Sequence, residues 1–123
     1  MSVRGIRGAI TCEEDLPNTV LPATGELLTA IKSANPSLRE EDIVSIIFTV
    51  TPDINSVYPA RAARDMGWDQ VPLMCAQEIP VQGSLKKCIR VLIHWNTDLK
   101  QNEIHHVYLR DAVVLRPDLI NHS

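Results

Sequence analysis

Apolar residues recur along this chain with two different periods, and the switches between them mark its elements. From Val3 to Ile10 the period is two: Val3, Gly5, Arg7 and Ala9 share one face of a predicted strand, and Arg4, Ile6, Gly8 and Ile10 share the other. Arg4 and Arg7 therefore point to opposite sides, and only one of them can join a given site. From Asn18, a residue suited to cap a helix, to about Ala34 the period lengthens. Leu21, Thr24, Leu27, Leu28 and Ile31 form the i, i+3, i+4 stripe of an amphipathic helix, with Pro22 placed within its first turn and Asn35-Pro36 as its stop. Ile43 to Thr51 is nearly continuous in β-branched and aromatic residues, which predicts a central strand ended by Pro52-Asp53. Pro59 to Met66 fits a short helix with proline at its start and Gly67 just past its end. Val71–Gln77 and Lys87–Thr97 read as strands on either side of a turn at Gly83-Ser84, and His106–Leu109 with Ala112–Leu115 fits one interrupted strand.

The resulting order, strand, helix, strand, short helix and then three strands, predicts an α+β fold: a mixed sheet with one long and one short helix. One long helix cannot cover both faces of five strands. The uncovered apolar face must close on itself or pack on another copy, so a homo-oligomer is expected.

A length of 123 residues with 45% hydrophobic content suits one core, and residues 1–123 are read as a single domain. The formal net charge of −3 argues against the non-specific electrostatic attraction that dominates nucleic-acid binding. No segment has the long uncharged apolar run of a membrane span, nor does the start of the chain have the basic-then-apolar layout of a signal peptide. The expectation is a soluble cytoplasmic protein with no membrane partner. Cys12, Cys75 and Cys88 are odd in number and contain no Cys-x-x-Cys pair, so neither a disulfide framework nor a zinc site is expected, and Cys12 and Cys88 read as small buried hydrophobes.

Against the acidic total, Arg7, Arg90 and Arg116 stand inside apolar, strand-like runs. Desolvating a guanidinium costs several kcal/mol unless an anion meets it, roughly 1–3 or more even where some pairing remains. The partner is an internal carboxylate, a neighbouring subunit or a small acidic substrate. Because arginine cannot serve as a general base near neutral pH, such a cluster suggests binding and transition-state stabilisation. Glu78, ending the run Met74-Cys75-Ala76-Gln77-Glu78, is either a solvated residue ahead of Ile79-Pro80 or a carboxylate beside those arginines. By alternation Cys75 and Gln77 lie on one face, and Met74, Ala76 and Glu78 lie on the other. A nucleophilic Cys75 would need a neighbouring base and an orienting group, and neither is signalled. Tyr108 is a hydroxyl donor near Arg116 or simply an edge aromatic. Gly5-Ile6-Arg7-Gly8 lacks the context of a dinucleotide fingerprint, and His105-His106, as neighbours on a strand, face opposite ways and cannot chelate one metal.

Taken in order, Val3-Arg4-Gly5-Ile6-Arg7-Gly8-Ala9, Thr51-Pro52-Asp53, Tyr58-Pro59-Ala60, Val71-Pro72, Gln77-Glu78, Gly83-Ser84-Leu85, Ile89-Arg90-Val91, His106-Val107-Tyr108-Leu109 and Leu115-Arg116-Pro117-Asp118-Leu119 resemble the monofunctional chorismate mutases of the trimeric α/β-barrel class, over nearly the whole chain. The resemblance implies a pseudo-α/β-barrel homotrimer with active sites in clefts between subunits. It also implies rearrangement of chorismate to prephenate, an isomerase step of the shikimate pathway toward phenylalanine and tyrosine, with no cofactor and no metal. Arg90 would then donate to the breaking ether and hold a carboxylate, Arg7 and Tyr108 would orient carboxylates, and Glu78 and Cys75 would engage the ring hydroxyl. Met74, Ala76 and Gln77 would belong to the strand-end binding segment. Tyr58, Ala60, Arg61 and Arg64 would form the wall given by a partner subunit, Leu73 and Leu115 the apolar lining, and Arg116 part of a closing C-terminal segment. Tyr58 and Arg61 stand where the family has phenylalanine more often and also lysine, which keeps bulk and charge. Two other readings fit an arginine-rich interfacial site: an imine-deaminase-like enzyme on a similar trimer, and a non-catalytic trimer that binds an acidic metabolite.

Overall fold

A computed structural model describes residues 1–115; Arg116 and the tail expected to close the pocket lie outside the described residues. The described residues form five strands, β1 (Ser2–Thr11), β2 (Ile43–Val50), β3 (Leu73–Gln77), β4 (Cys88–Thr97) and β5 (Val107–Tyr108), and two α-helices, α1 (Pro17–Ala34) and α2 (Ala60–Asp65). The sheet order is β3-β2-β4-β1-β5. β4 runs antiparallel to both β1 and β2, whereas β3 is parallel to β2 and β5 parallel to β1, so the sheet is mixed as expected. The run from Ile43 is interior but not central. The middle place belongs to β4, whose strict alternation suits a strand covered unequally on its two faces.

The helix side of the sheet holds the core. Ile6 and Ile10 of β1, Ile46 and Phe48 of β2, and Ile89, Val91, Ile93 and Trp95 of β4 pack there against Val20, Leu27, Leu28 and Ile31 of α1. The buried stripe of α1 is Val20, Ala23, Thr24, Leu27, Leu28 and Ile31, set back by one residue from the expected start at Leu21. The helix also begins earlier than expected. Leu16, not Asn18, is its N-cap, and the Thr19 hydroxyl accepts the Leu16 N–H at 3.3 Å while donating to the Glu14 carbonyl at 2.6 Å. Pro22 therefore falls in the second turn, on the exposed side, where the Asn18 carbonyl left without its helical partner can meet water. Gly8 marks the closest approach of helix and sheet: a Cβ there would lie 2.8 Å from the Ile31 Cδ1.

Two further departures come from backbone geometry. A bulge between Ile43 and Ser45 pairs Ile43 with Trp95 and Ser45 with His94, so Ile43 turns inward with Ile46 while Ser45 turns to the other face. Past Tyr108 the expected interrupted strand does not resume. Arg110 takes φ 54°, and residues 110–114 wind into a 3-10 turn instead. The Arg110 guanidinium fastens this reversal by donating to the Thr11 carbonyl at 2.9 Å. Among the described residues, no helix is long and apolar enough to cross a membrane.

Candidate active site

On the sheet face away from α1, strand parity gathers Arg7 from β1, Ile47 and Thr49 from β2, and Arg90 and Leu92 from β4. Arg7 pairs with Leu92 and Thr49 with Arg90, so these side chains rise together from adjacent strands. Tyr108 joins them because it stands beside Ala9 in the parallel β1–β5 pairing. Glu78 comes from one residue beyond β3, where its N–H donates to the Val50 carbonyl at 2.8 Å and extends the ladder. The 3-10 turn then folds over the sheet, with Ala112 packed on Ala9 and Cys88, and brings Leu115 to the same place. Small residues at all three positions allow that close approach. The result is a cavity of about 400 Å³ lined by Arg7, Ala9, Ile47, Thr49, Glu78, Arg90, Leu92, Tyr108 and Leu115, with Gly8 and Val91 contributing from the strand backbones.

Its electrostatics are unfinished. Arg90 Nε lies 3.7 Å from a Glu78 carboxylate oxygen, an ion pair beyond hydrogen-bond length. That Nε is buried and has no hydrogen-bond acceptor among the described residues. A buried unsatisfied donor on a charged group is costly, and it persists in native proteins where a ligand or function explains it. Arg4, by contrast, donates its Nε to the Leu99 carbonyl at 3.0 Å, so of the two β1 arginines it is Arg7 that lines this cavity.

The end of the sheet nearest Arg90 is tied down by a carboxylate and a hydroxyl. Asp53 accepts the Lys87 N–H with both oxygens, at 3.1 and 2.9 Å, and accepts the Thr51 hydroxyl at 2.5 Å. Thr51 Oγ1 accepts the Cys88 N–H at 3.0 Å. Two residues before Arg90, the chain is therefore held from β2, and Lys87 can keep its left-handed φ of 48°. The Cys88 thiol beneath is pushed up to about 11, chiefly by burial and against the opposing pull of Arg90. Cys12 is also raised, by burial and then by Asp15 and Asp53. Both behave as inert apolar side chains.

The remaining residues singled out from the sequence fall in a second place. Tyr58, Arg61, Arg64, Cys75, Ala76 and Gln77 line a cavity of about 590 Å³ between the start of α2 and the edge of β3. Cys75 and Gln77 thus sit opposite Glu78, as alternation requires, and within one chain Cys75 does not share a cavity with Glu78. Tyr58 is 72% exposed, although it is a large aromatic. Ala60 is buried at the start of α2, Leu73 packs against the core, and Met74 is exposed. Sequence reasoning missed Ile47, Thr49 and Leu92 as lining. Their signal was parity with Arg90 and Arg7 once the register is known. It also missed the imidazole of His106, which meets the Arg7 backbone at 2.9 Å.

Comparison with known proteins bears on this geometry. Residues 3–119 match the family described as chorismate mutase type I. The chain is 56% identical over 117 residues to chorismate mutase AroH of Thermus thermophilus, covering 95% of this chain and 96% of that protein. It is 48% identical over 120 residues to chorismate mutase AroH of Bacillus subtilis strain 168, covering 97% and 94%. A solved chorismate mutase from Clostridium thermocellum superposes with a TM-score of 0.87 at 49% identity, covering 89% of this chain and 97% of that one.

Proposed function

The chain belongs to the type I chorismate mutase family, and on that premise we propose that the cavity around Arg7, Glu78, Arg90 and Tyr108 is where chorismate rearranges to prephenate. Its activity is that of a chorismate mutase, an isomerase of aromatic amino acid biosynthesis. The observation that carries the site assignment is the buried Arg90 Nε with no acceptor within reach among the described residues.

The reaction is intramolecular: one carbon–oxygen bond of the enol ether breaks as one carbon–carbon bond forms, with no proton or electron exchanged with the protein. Nothing in it needs a nucleophile or a base. The work left to the protein is to hold a compact conformer and to meet the negative charge that grows on the ether oxygen. Arg90 meets that oxygen with the donor left unused among the described residues, Arg7 and Tyr108 orient carboxylates of the dianion, and Glu78 accepts from the ring hydroxyl. A millionfold acceleration requires roughly 8 kcal/mol. One preorganised donor at a developing oxyanion contributes about 2.7–4 kcal/mol, and orientation can contribute the rest.

The site is completed by a second copy in a homotrimer. Two features support this. Val3, Ile47, Met74 and Leu92 leave the sheet face around the cavity apolar and at least partly exposed, with Val3 at 53% and Met74 at 66%. The exposed Tyr58, Arg61 and Arg64 form a cationic, aromatic wall around a second cavity, apart from Arg7, Glu78 and Arg90 among the described residues. Docked on a neighbour, that wall would face the Arg90 cavity and bring Cys75 to the ring hydroxyl that Glu78 holds. The test is direct: purified protein mixed with chorismate should remove the absorbance of chorismate and yield prephenate, and should sediment as three chains. Folded protein that leaves chorismate unchanged would overturn the assignment.

A further inference from the structure

The outer edge of β1 is satisfied in three different ways along its length, and the middle one concerns the site. At Gly5 both backbone groups are met by one amide side chain: Gln101 accepts the N–H at 2.9 Å and donates to the carbonyl at 2.7 Å. At Ala9 the carbonyl accepts the Leu109 N–H at 2.9 Å, beside the short pairing with β5. Between them, the N–H of Arg7 donates to His106 Nδ1 at 2.9 Å. An imidazole there takes the place that a strand carbonyl would fill. Since the partner is an N–H, Nδ1 is the acceptor and the ring proton sits on Nε2.

His106 is itself placed from the core. Asn35, 3% exposed at the C-cap of α1, grips the preceding residue at two points: its Oδ1 accepts the His105 N–H at 3.0 Å and its Nδ2 donates to the His105 carbonyl at 2.9 Å. The same Nδ2 also donates to the Ile31 carbonyl at 3.0 Å. A continuous set of hydrogen bonds therefore runs from the end of α1, through residue 105 and the His106 ring, to the backbone of Arg7. Two residues further along that segment stands Tyr108. His106 thus ties the backbone carrying one carboxylate-orienting group to the segment carrying the other.

We propose that His106 is a positioning residue for substrate binding, fixing the spacing of Arg7 and Tyr108 through its Nδ1 acceptor without touching substrate. The inference rests on the assignment of Arg7 to the chorismate site. Removing the acceptor frees a half-buried N–H in mid-strand, and the strand then gains play at the residue whose guanidinium must be held. Displacements of about 1 Å at a positioning group cost up to roughly a hundredfold in rate.

Two substitutions separate the acceptor from the ring. His106→Phe keeps a planar ring with no acceptor, and His106→Asn keeps an acceptor at the place of Nδ1 with no ring. With chorismate as substrate, kcat/KM should fall about ten- to hundredfold in His106→Phe, through a lower kcat and a higher KM, and stay within about threefold of the unaltered protein in His106→Asn. Gln101→Leu, which strips the same edge at Gly5, should lower the melting temperature and leave kcat/KM unchanged. Amide exchange at Arg7, followed by NMR, should be slow in the unaltered protein and His106→Asn, and fast in His106→Phe. Equal kcat/KM in folded His106→Phe and His106→Asn would overturn the role of His106. Should His106→Phe fail to fold, the unaltered protein decides with His106→Asn: fast exchange at Arg7, or a tenfold loss in His106→Asn, would also overturn it. Arg7→Ala is the separate control. Normal kcat/KM in that variant would remove Arg7 from the site, and the inference with it.

Discussion

Replacing Arg90 by alanine should separate catalysis from stability more cleanly than any other change to this chain. Its guanidinium contributes little to the fold. The only ion pair it makes among the described residues is with Glu78 at 3.7 Å, with the two side chains 34% and 25% exposed. Partly exposed pairs of that length contribute at most about 1 kcal/mol, and deleting the arginine also removes a buried donor that has no acceptor among the described residues. Folding stability should therefore change by no more than about 1 kcal/mol in either direction.

Turnover should respond on a different scale. Loss of a single donor to a developing oxyanion lowers kcat by about 10²–10³, and Arg90 offers further donors to a carboxylate of the same substrate. The expected loss in kcat is at least a hundredfold, with Arg90→Lys recovering little because one ammonium cannot copy the two directions of the fork. The assay is the loss of chorismate absorbance over a range of concentrations, beside urea unfolding of both proteins at equal chain concentration. Near-normal kcat in Arg90→Ala would refute the reasoning, and so would an activity loss that tracks unfolding.

Gly8→Ala should destabilise by about 1–3 kcal/mol, because its Cβ would meet Ile31 Cδ1 at 2.8 Å, Val91 Cγ1 at 3.1 Å and Leu27 Cδ1 at 3.2 Å in a filled core; urea midpoints unchanged from the parent would contradict this. Cys88 predicts a pH effect of definite sign. Between its ordinary value near 9 and its native value near 11, the unfolded chain has lost the thiol proton and the native chain keeps it, so stability falls as pH rises through that window, by at most about 1.4 kcal/mol per unit. Cys88→Ala should flatten that slope, and iodoacetamide should label Cys75 well before Cys88 in the native protein; equal labelling of the two would show that Cys88 is not sealed. Mixed oligomers of Arg90→Ala and Arg64→Ala chains should regain activity in about a quarter of their clefts if each site draws on two subunits, whereas mixtures no better than their parents would place both arginines in one chain's site.

Much of this protein is written in local pattern. The alternation in β1 and β4 and the helical period of α1 fixed the elements, because each depends only on which side chains can share a face. The same rule foretold that Arg4 and Arg7 diverge, and that Cys75 lies opposite Glu78. What local pattern could not supply was register. The bulge at Ile43/Ser45 turns the start of β2 over, and the left-handed Arg110 converts an expected strand into the turn that brings Leu115 to the cavity. Both depend on long-range bonds, such as that of Arg110 to the Thr11 carbonyl, whose partners lie far apart in the chain. The arginines were thus legible from their places in apolar runs, whereas Ile47, Thr49 and Leu92 came to the cavity only through register. That Arg90 keeps a buried donor without an acceptor among the described residues, and that a histidine ring serves as the missing strand beside Arg7, followed only from tertiary structure, because satisfaction of a polar group is a property of its neighbours in space.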